Sequence, residues 1–226
     1  MAKQESAAQW DVYFRRAGRS VLATRSSRSR TEDYFAQGAA SLLELVDFVA
    51  APKQGRALDI GCGDGRLTRT LVSLYTSVVA QDVAPSVLDA CRRNLEDANN
   101  VEFTLGNVEV LAQYPDSSFD FVVSTTVFQH ISSCTTVRSY IGEASRLLAP
   151  GGVAALQLRD PSMATRLRDF AVDVARVPTR LPSFHHSWRG CRLRETEARE
   201  AAEANNRVVE WRPQRRFVWF VIRHPL

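Results

Sequence analysis

The densest chemistry in the chain lies between Arg56 and Thr68, in the run RALDIGCGDGRLT. A short apolar stretch through Ala57, Leu58 and Ile60 breaks into Gly61-Cys62-Gly63-Asp64-Gly65. After the break, Leu67, Leu71, Val72 and Leu74 fall at helical spacing. Strand, glycine turn and helix in that order make the opening unit of a nucleotide-binding α/β fold. The glycines let the chain reverse tightly and let a ligand touch backbone with no Cβ in the way. The spacing is GxGxG; a dinucleotide turn would put its third glycine where Arg66 stands. Two acids, Asp59 and Asp64, flank the turn. A pyrophosphate at such a helix start wants N–H donors and no carboxylates, so this pair suits a ligand with a cationic end. Beyond a second apolar run, Ser77 to Gln81, Asp82 stands where the second strand of such a unit ends, and an acid there can accept both hydroxyls of a ribose.

Three further stretches continue the pattern: VVAQDVAPSVLDACRRN (Val78–Asn94), FDFVVSTTVFQHI (Phe119–Ile131) and RLLAPGGVAALQL (Arg146–Leu158). Together with the glycine turn they resemble, in order, the motifs of the class I S-adenosylmethionine-dependent methyltransferases, over roughly residues 56–160. The resemblance implies S-adenosylmethionine as cofactor, whose α-ammonium and sulfonium supply the cationic end. It also implies roles for particular residues. Gly61, Cys62, Gly63 and Gly65 would pack on the methionine portion, with Asp59 facing the ammonium. Asp82 would bind the ribose and Val83 would stack on adenine. Asn107 and Val108 would border the adenine, and main chain of Ser124 or Thr125 would lie near the methionine end. Members of the family often carry an acid at the Asn107 position; an asparagine oxygen accepts the same bond without charge.

These residues need a scaffold, and the periodicity supplies one. The expected fold class is α/β: a doubly wound, seven-stranded, mostly parallel sheet with an antiparallel last strand, and N-terminal helices as a lid. The whole chain, 1–226, is read as a single domain. Residues 1–55 form the helical lid, 56–160 the cofactor-binding core, 160–191 a substrate-loop insertion, and 192–226 a C-terminal helix and strands. Trp10, Tyr13 and Phe14 share one face of a helix over residues 6–17. A serine- and arginine-rich loop should follow. A second helix starts with Thr31 as N-cap and runs to about Ala50, with Leu42, Leu43, Leu45, Val46 and Val49 packed inward. Pro85 at N1 opens a helix to about Ala98, Val101 to Leu105 reads as the third strand, and Phe119 to Thr126 as the fourth. A helix over 135–148 leads through Pro150-Gly151-Gly152 to a fifth strand, Val153 to Leu158. A helix over 192–205 precedes strands over 207–211 and 215–223.

Composition narrows the class. The chain has 226 residues, 45% of them hydrophobic, enough for one domain with a real core. No run approaches the ~20 apolar residues of a membrane span, and the N-terminus has no apolar signal region. A cytoplasmic protein with no membrane association is expected. Cys62, Cys91, Cys134 and Cys191 lie far apart with no CxxC, so no metal site is expected and four free thiols are. Net charge is +4, but residues 57–150 carry 6 basic and 11 acidic side chains, and the flanks are basic. Basic flanks could serve an anionic partner. Only Lys3 and Lys53 among the 29 basic residues are lysine, however, and scattered arginines on a solvated face are the plainer reading. A nucleic-acid partner is therefore not expected.

Methyl transfer from a sulfonium needs alignment more than a catalytic group, because the leaving group is neutral. A base is needed only when the nucleophile must lose a proton. His130, after the fourth strand, is the candidate catalytic base and substrate contact. Tyr13, Arg159, His185, His186 and Trp188 are the other candidate substrate contacts. Aromatic residues at helical spacing, such as Trp10 and Tyr13, equally make a core. The leading expectation is transfer of a methyl group to an oxygen or nitrogen of a small molecule. The alternatives are methylation of RNA or protein, and a non-catalytic S-adenosylmethionine-binding protein. Ser124-Thr125-Thr126-Val127 stands where an NPPY-like tetrapeptide would signal a planar amino acceptor. Substrate identity and oligomeric state are not written in the sequence.

Overall fold

The computed structural model describes residues 7–21, 31–162, 190–202, 207–214 and 217–226. Two helices, α1 (Ala7–Ala17) and α2 (Thr31–Phe48), precede the sheet; a 3₁₀ turn, Gly18–Val21, extends α1. Then come β1 (Arg56–Ile60), α3 (Thr68–Leu74), β2 (Ser77–Asp82), α4 (Pro85–Asn94) and β3 (Val101–Leu105). They are followed by β4 (Phe119–Ser124), α5 (Cys134–Leu147), β5 (Leu148–Arg159), α6 (Glu195–Ala202), β6 (Val208–Gln214) and β7 (Phe217–Arg223).

The strands form one seven-stranded sheet in the order β3-β2-β1-β4-β5-β7-β6. Strands β1 to β5 pair in parallel. β7 runs antiparallel to both β5 and β6. The expected α/β class, strand count and antiparallel last strand are all present. Alternation along the strands feeds two cores. Leu58, Ile60 and Val122 point with Phe220 to one face, under Tyr140 and Ile141 of α5 and Ala198 of α6. Ala57, Phe121 and Val123 point to the other, under Leu42 and Val46 of α2 and Leu71 of α3. The order reverses between β1 and β4, and the carboxyl ends of those strands open the crevice where such sheets bind ligands.

Several boundaries differ from the periodicity. α2 ends at Phe48, and Ala50 takes a positive φ of 47°. Leu42, Leu45, Val46 and Val49 are buried, but Leu43 is 41% exposed, one residue round the helix from the buried face. α4 stops at Asn94, and β5 already begins at Leu148, carrying Pro150-Gly151-Gly152 inside the strand. β5's neighbour shifts register between Phe119 and Phe121, which absorbs that irregular start.

The expectation of four free thiols is corrected. Cys134 and Cys191 are joined in a disulfide, while Cys62 and Cys91 are free and buried. The two partners are 57 residues apart in sequence, yet the fold brings their Cα atoms to 5.1 Å. Spacing along the chain cannot reveal such a pair. Closing a loop of that length removes roughly 4 kcal/mol of unfolded-state entropy.

Candidate active site

A cavity of about 470 Å³ opens at the carboxyl ends of β1, β2 and β4. That volume lies within the ~300–1,000 Å³ of small-molecule sites. The glycine turn forms its floor. The Gly61 and Cys62 amides both donate to the Gln81 carbonyl, at 2.8 and 2.9 Å, which stitches the turn to the end of β2. Gly63 holds a φ of +60° and donates its N–H to Asp82 Oδ2 at 3.1 Å. Asp82 Oδ1 accepts from the Ala84 amide at 3.0 Å. One carboxylate is thus pinned by two backbone donors, and each oxygen keeps a lone pair for a ligand hydroxyl. Burial raises the Asp82 carboxyl above its usual range, against these two bonds and one from the Val83 amide.

Asp59 is 2% exposed and accepts a 2.7 Å bond from the Thr68 hydroxyl at the start of α3. Burial pushes its carboxyl up to about 6; the Thr68 bond opposes this, the Asp82 carboxylate adds to it, and the Arg66 charge opposes it. Asp64 is also buried, but its oxygens are committed. Tyr34 of α2 donates to Oδ1 at 2.8 Å, and Arg19 Nε donates to Oδ2 at 2.7 Å. Arg19 also lies over the Tyr34 ring, 4.5 Å from its centre. The segment after α1 is therefore bonded to the glycine turn itself. Asp11 of α1 makes a second attachment, accepting the Ser86 amide at the start of α4 at 2.8 Å.

The cavity brings together Asp59, Gly61, Cys62, Gly63, Asp82, Val83, Asn107, Thr125 and His130 from the residues expected on sequence. Asn107 lines it while its Oδ1 also accepts the Glu109 amide at 3.2 Å, capping a 3₁₀ turn. Gly65, Val108, Ser124, Tyr13 and Arg159 stand outside the lining. Gly65 packs against Cys91, and Val108 packs on the larger core. The Ser124 hydroxyl donates to the Ile60 carbonyl at 3.0 Å, tying β4 to β1. Tyr13 meets Trp10 edge-on at 6.2 Å, one step back from the cavity, and Arg159 ends β5. His185, His186 and Trp188 lie outside the described residues, as does most of the expected 160–191 insertion.

The lining also includes Trp10, weighed on sequence as either a lid contact or core, and Tyr34, Arg66, Gln81, Thr126, Val127, Ile131 and Tyr140, to which the sequence assigned no place in the site. Trp10 packs edge-on against His130, ring centres 4.9 Å apart. Gln129 Nε2 sits 3.1 Å from His130 Nε2 and 3.3 Å from the Thr126 carbonyl. A carbonyl can only accept, so this nitrogen is the donor and His130 Nε2 carries the lone pair. Gln129 Oε1 is buried with no partner among the described residues, which is the cost of aiming the amide nitrogen this way. Among the described residues no group of three or more His, Cys, Asp or Glu could hold a metal ion.

The residues present fit the cofactor that the turn implies. A pinned carboxylate at the end of β2 suits a ribose diol, and a buried, underneutralised carboxylate at the end of β1 suits a cation. Asp82→Ala is expected to weaken S-adenosylmethionine binding by about 1.5–3 kcal/mol, roughly 10- to 150-fold in Kd, as bonds to a charged acceptor are lost. The melting temperature should fall by a few degrees with the fold retained, because the Gly63 and Ala84 amides lose their acceptor. Affinity equal to wild type would remove Asp82 from the site.

Asp59 predicts a pH dependence. The folded protein holds this proton more tightly than the unfolded chain, so the group costs stability as pH rises from about 4 to about 6. A bound cation favours the carboxylate, so binding releases the proton. Affinity for S-adenosylhomocysteine should fall as pH drops below about 6, by up to tenfold per unit. Asp82, also raised by burial, acts in the same direction. Asp59→Asn should weaken binding and flatten the slope; a wild-type affinity independent of pH from 7 to 5 would contradict the assignment.

Comparison with known proteins agrees with this geometry. A family profile described as "Methyltransferase domain" matches residues 58–156. The chain is 34% identical over 111 residues to a ubiquinone biosynthesis O-methyltransferase of Xanthomonas axonopodis pv. citri, a match covering 49% of this chain and 45% of that protein. The chain thus spans about half the length of the curated relatives it matches. Among solved structures, PH0226 protein from Pyrococcus horikoshii superimposes with a TM-score of 0.62 at 18% identity, over 94% of this chain and 98% of that one. YcgJ protein from Bacillus subtilis does so with a TM-score of 0.59 at 22% identity, over 76% and 70%. Residues 58–156 of this chain thus match a methyltransferase domain, and its sheet shares the fold of these solved structures.

Proposed function

We propose that the protein binds S-adenosylmethionine in the cavity between β1, β2 and β4 and moves its methyl group to an oxygen of a small molecule, with nitrogen as the alternative acceptor atom. The observation that carries this reading is Asp82: a carboxylate pinned by Gly63 and Ala84 N–H groups and lining the cavity. The cofactor supplies the methyl group on a sulfonium, whose departure as a neutral sulfide needs no acid. The chain does the rest. Asp82 holds the ribose and Asp59 faces the ammonium, while Val83 and Asn107 border the adenine. Trp10, Val127, Ile131 and Tyr140 exclude water at the other end. Holding the acceptor in line accounts for roughly 7–11 kcal/mol at best. His130 Nε2 takes the proton of a hydroxyl acceptor.

The choice of oxygen is supported by the relative from Xanthomonas, whose name states O-methyl transfer. The α1–α2 region acts as a lid, held to the glycine turn by Arg19 and to α4 by Asp11. No helix among the described residues is long and apolar enough to cross a membrane. A cytoplasmic setting remains part of the proposal, and there the Cys134–Cys191 bond would meet reducing thiols. The test is turnover of methyl-labelled S-adenosylmethionine against phenols, carboxylates, sugars and amines. Label on a phenol or carboxylate supports the reading. Label on amines alone would move the acceptor to nitrogen. Cofactor binding without turnover on any acceptor would make the protein a binder.

A further inference from the structure

We propose that the Cys134–Cys191 disulfide is a thiol-sensitive staple that fixes the rim of the cavity around His130. Around it, three pieces of chain meet. The first is the rim, Gln129-His130-Ile131, whose His130 and Ile131 line the cavity. The second is the start of α5, where Ser133 Oγ accepts the Thr136 amide at 3.2 Å and Thr136 itself lines the cavity. The third is the chain returning at Gly190. Gly190 N–H donates to the Gln129 carbonyl at 2.9 Å, and Cys191 N–H donates to the Ile131 carbonyl at 2.7 Å. These two bonds clasp the rim on either side of His130. The approach is so close that a Cβ on Gly190 would lie 2.1 Å from the Gln129 carbonyl oxygen.

The disulfide is the one covalent member of this junction. Cys191 is buried in the larger core, whereas Cys134 sits exposed on the first turn of α5, within reach of small thiols. A thiolate attacks the Cys134 sulfur, the S–S bond breaks, and Cys191 leaves as a thiolate that takes up a proton. A second thiol resolves the mixed disulfide, leaving two cysteine thiols and one small-molecule disulfide, a two-electron reduction. Once the bond is open, no covalent link holds the returning chain to the rim, and its two backbone hydrogen bonds and the packing of Cys191 and Leu193 remain. Cofactor contacts on Gly63 and Asp82 belong to the β1 and β2 ends and are not part of this junction. The staple therefore sets the acceptor side and leaves the cofactor side alone. Assigning the rim to the acceptor rests on the function proposed above; the staple does not.

The experiment needs no substrate. Thiol alkylation and mass measurement after treatment with oxidised glutathione should give two free cysteines per chain, and four after dithiothreitol. Amide hydrogen exchange is then compared between the two forms. Reduction should speed exchange across residues 127–134 and 190–193 tenfold or more, with β1 and β2 unchanged and S-adenosylhomocysteine affinity within twofold. Cys134→Ser should reproduce the reduced pattern, and dithiothreitol should then add nothing. Four free thiols under oxidising conditions would overturn the proposal. So would unchanged rim exchange, or a rise spread evenly over the sheet, which is what a purely structural cross-link would give. Loss of S-adenosylhomocysteine binding in both redox forms would count against the proposed function and leave the exchange result standing.

Discussion

Gly63→Val is expected to leave a folded protein with no measurable affinity for S-adenosylmethionine. Gly63 sits at φ +60°, in the left-handed region that a β-branched side chain adopts only under strain, of order 1–3 kcal/mol. The turn can relieve that strain only by rotating its peptides. Rotation takes the Gly63 N–H away from Asp82 Oδ2, which it now meets at 3.1 Å, and frees a carboxylate that burial already disfavours. The new methyl groups also fall where Gly63 lines the cavity. Strain, a lost donor and lost space all act on one ligand. The rest of the sheet is anchored elsewhere, so a cooperative melting transition should persist a few degrees lower. Gly63→Ala, with less bulk at the same φ, should bind weakly. A valine variant that folds and binds within threefold of wild type would mean that this turn does not cradle the cofactor.

His130→Ala should lower turnover on a hydroxyl acceptor by about 10²–10⁴-fold, the usual range for a positioned base. The lone pair at Nε2 is the accepting site, and in the absence of substrate it takes a bond from Gln129 Nε2. An acceptor hydroxyl must share or displace that bond, so the base is held in one orientation before substrate arrives. Cofactor affinity should stay within a few-fold, because the Asp82 and Gly63 contacts are made on other strands. Turnover against pH should show an acidic limb in the wild type that is absent in the variant. Parallel profiles at similar rates would leave a methyltransferase that works by positioning alone.

The part of the site legible in the sequence is the part built from consecutive residues. The glycine turn needs positive φ and close backbone approach, so only glycine serves, and its spacing shows in one reading. Asp82 is legible because the end of the second strand lies a fixed distance beyond that turn. The α/β class, the seven strands and the antiparallel last strand followed from the same motifs, whereas the order β3-β2-β1-β4-β5-β7-β6 is known from the fold. What stayed hidden depends on contacts between distant segments. Tyr34 is given no role by the periodicity; its hydroxyl reaches Asp64, 30 residues away, only in the folded chain. Ser124 enters the expected site only through its main chain, and the bond of its hydroxyl to the Ile60 carbonyl, 64 residues away, leaves no local mark. Leu43 reads as core and faces outward because helical phase, not hydrophobicity, decides burial. The Cys134–Cys191 pair is a product of tertiary closure and leaves no mark in local spacing.

The most direct test is a crystal structure of the protein with S-adenosylhomocysteine. The ribose hydroxyls should lie within hydrogen-bond distance of both Asp82 oxygens. The amino-acid end should lie over Gly61 and Gly63 with its ammonium toward Asp59, and the sulfur should face the space bounded by His130 and Trp10. A ligand bound elsewhere, or an Asp82 carboxylate with no contact to it in a well-occupied site, would contradict the assignment of this cavity to methyl transfer.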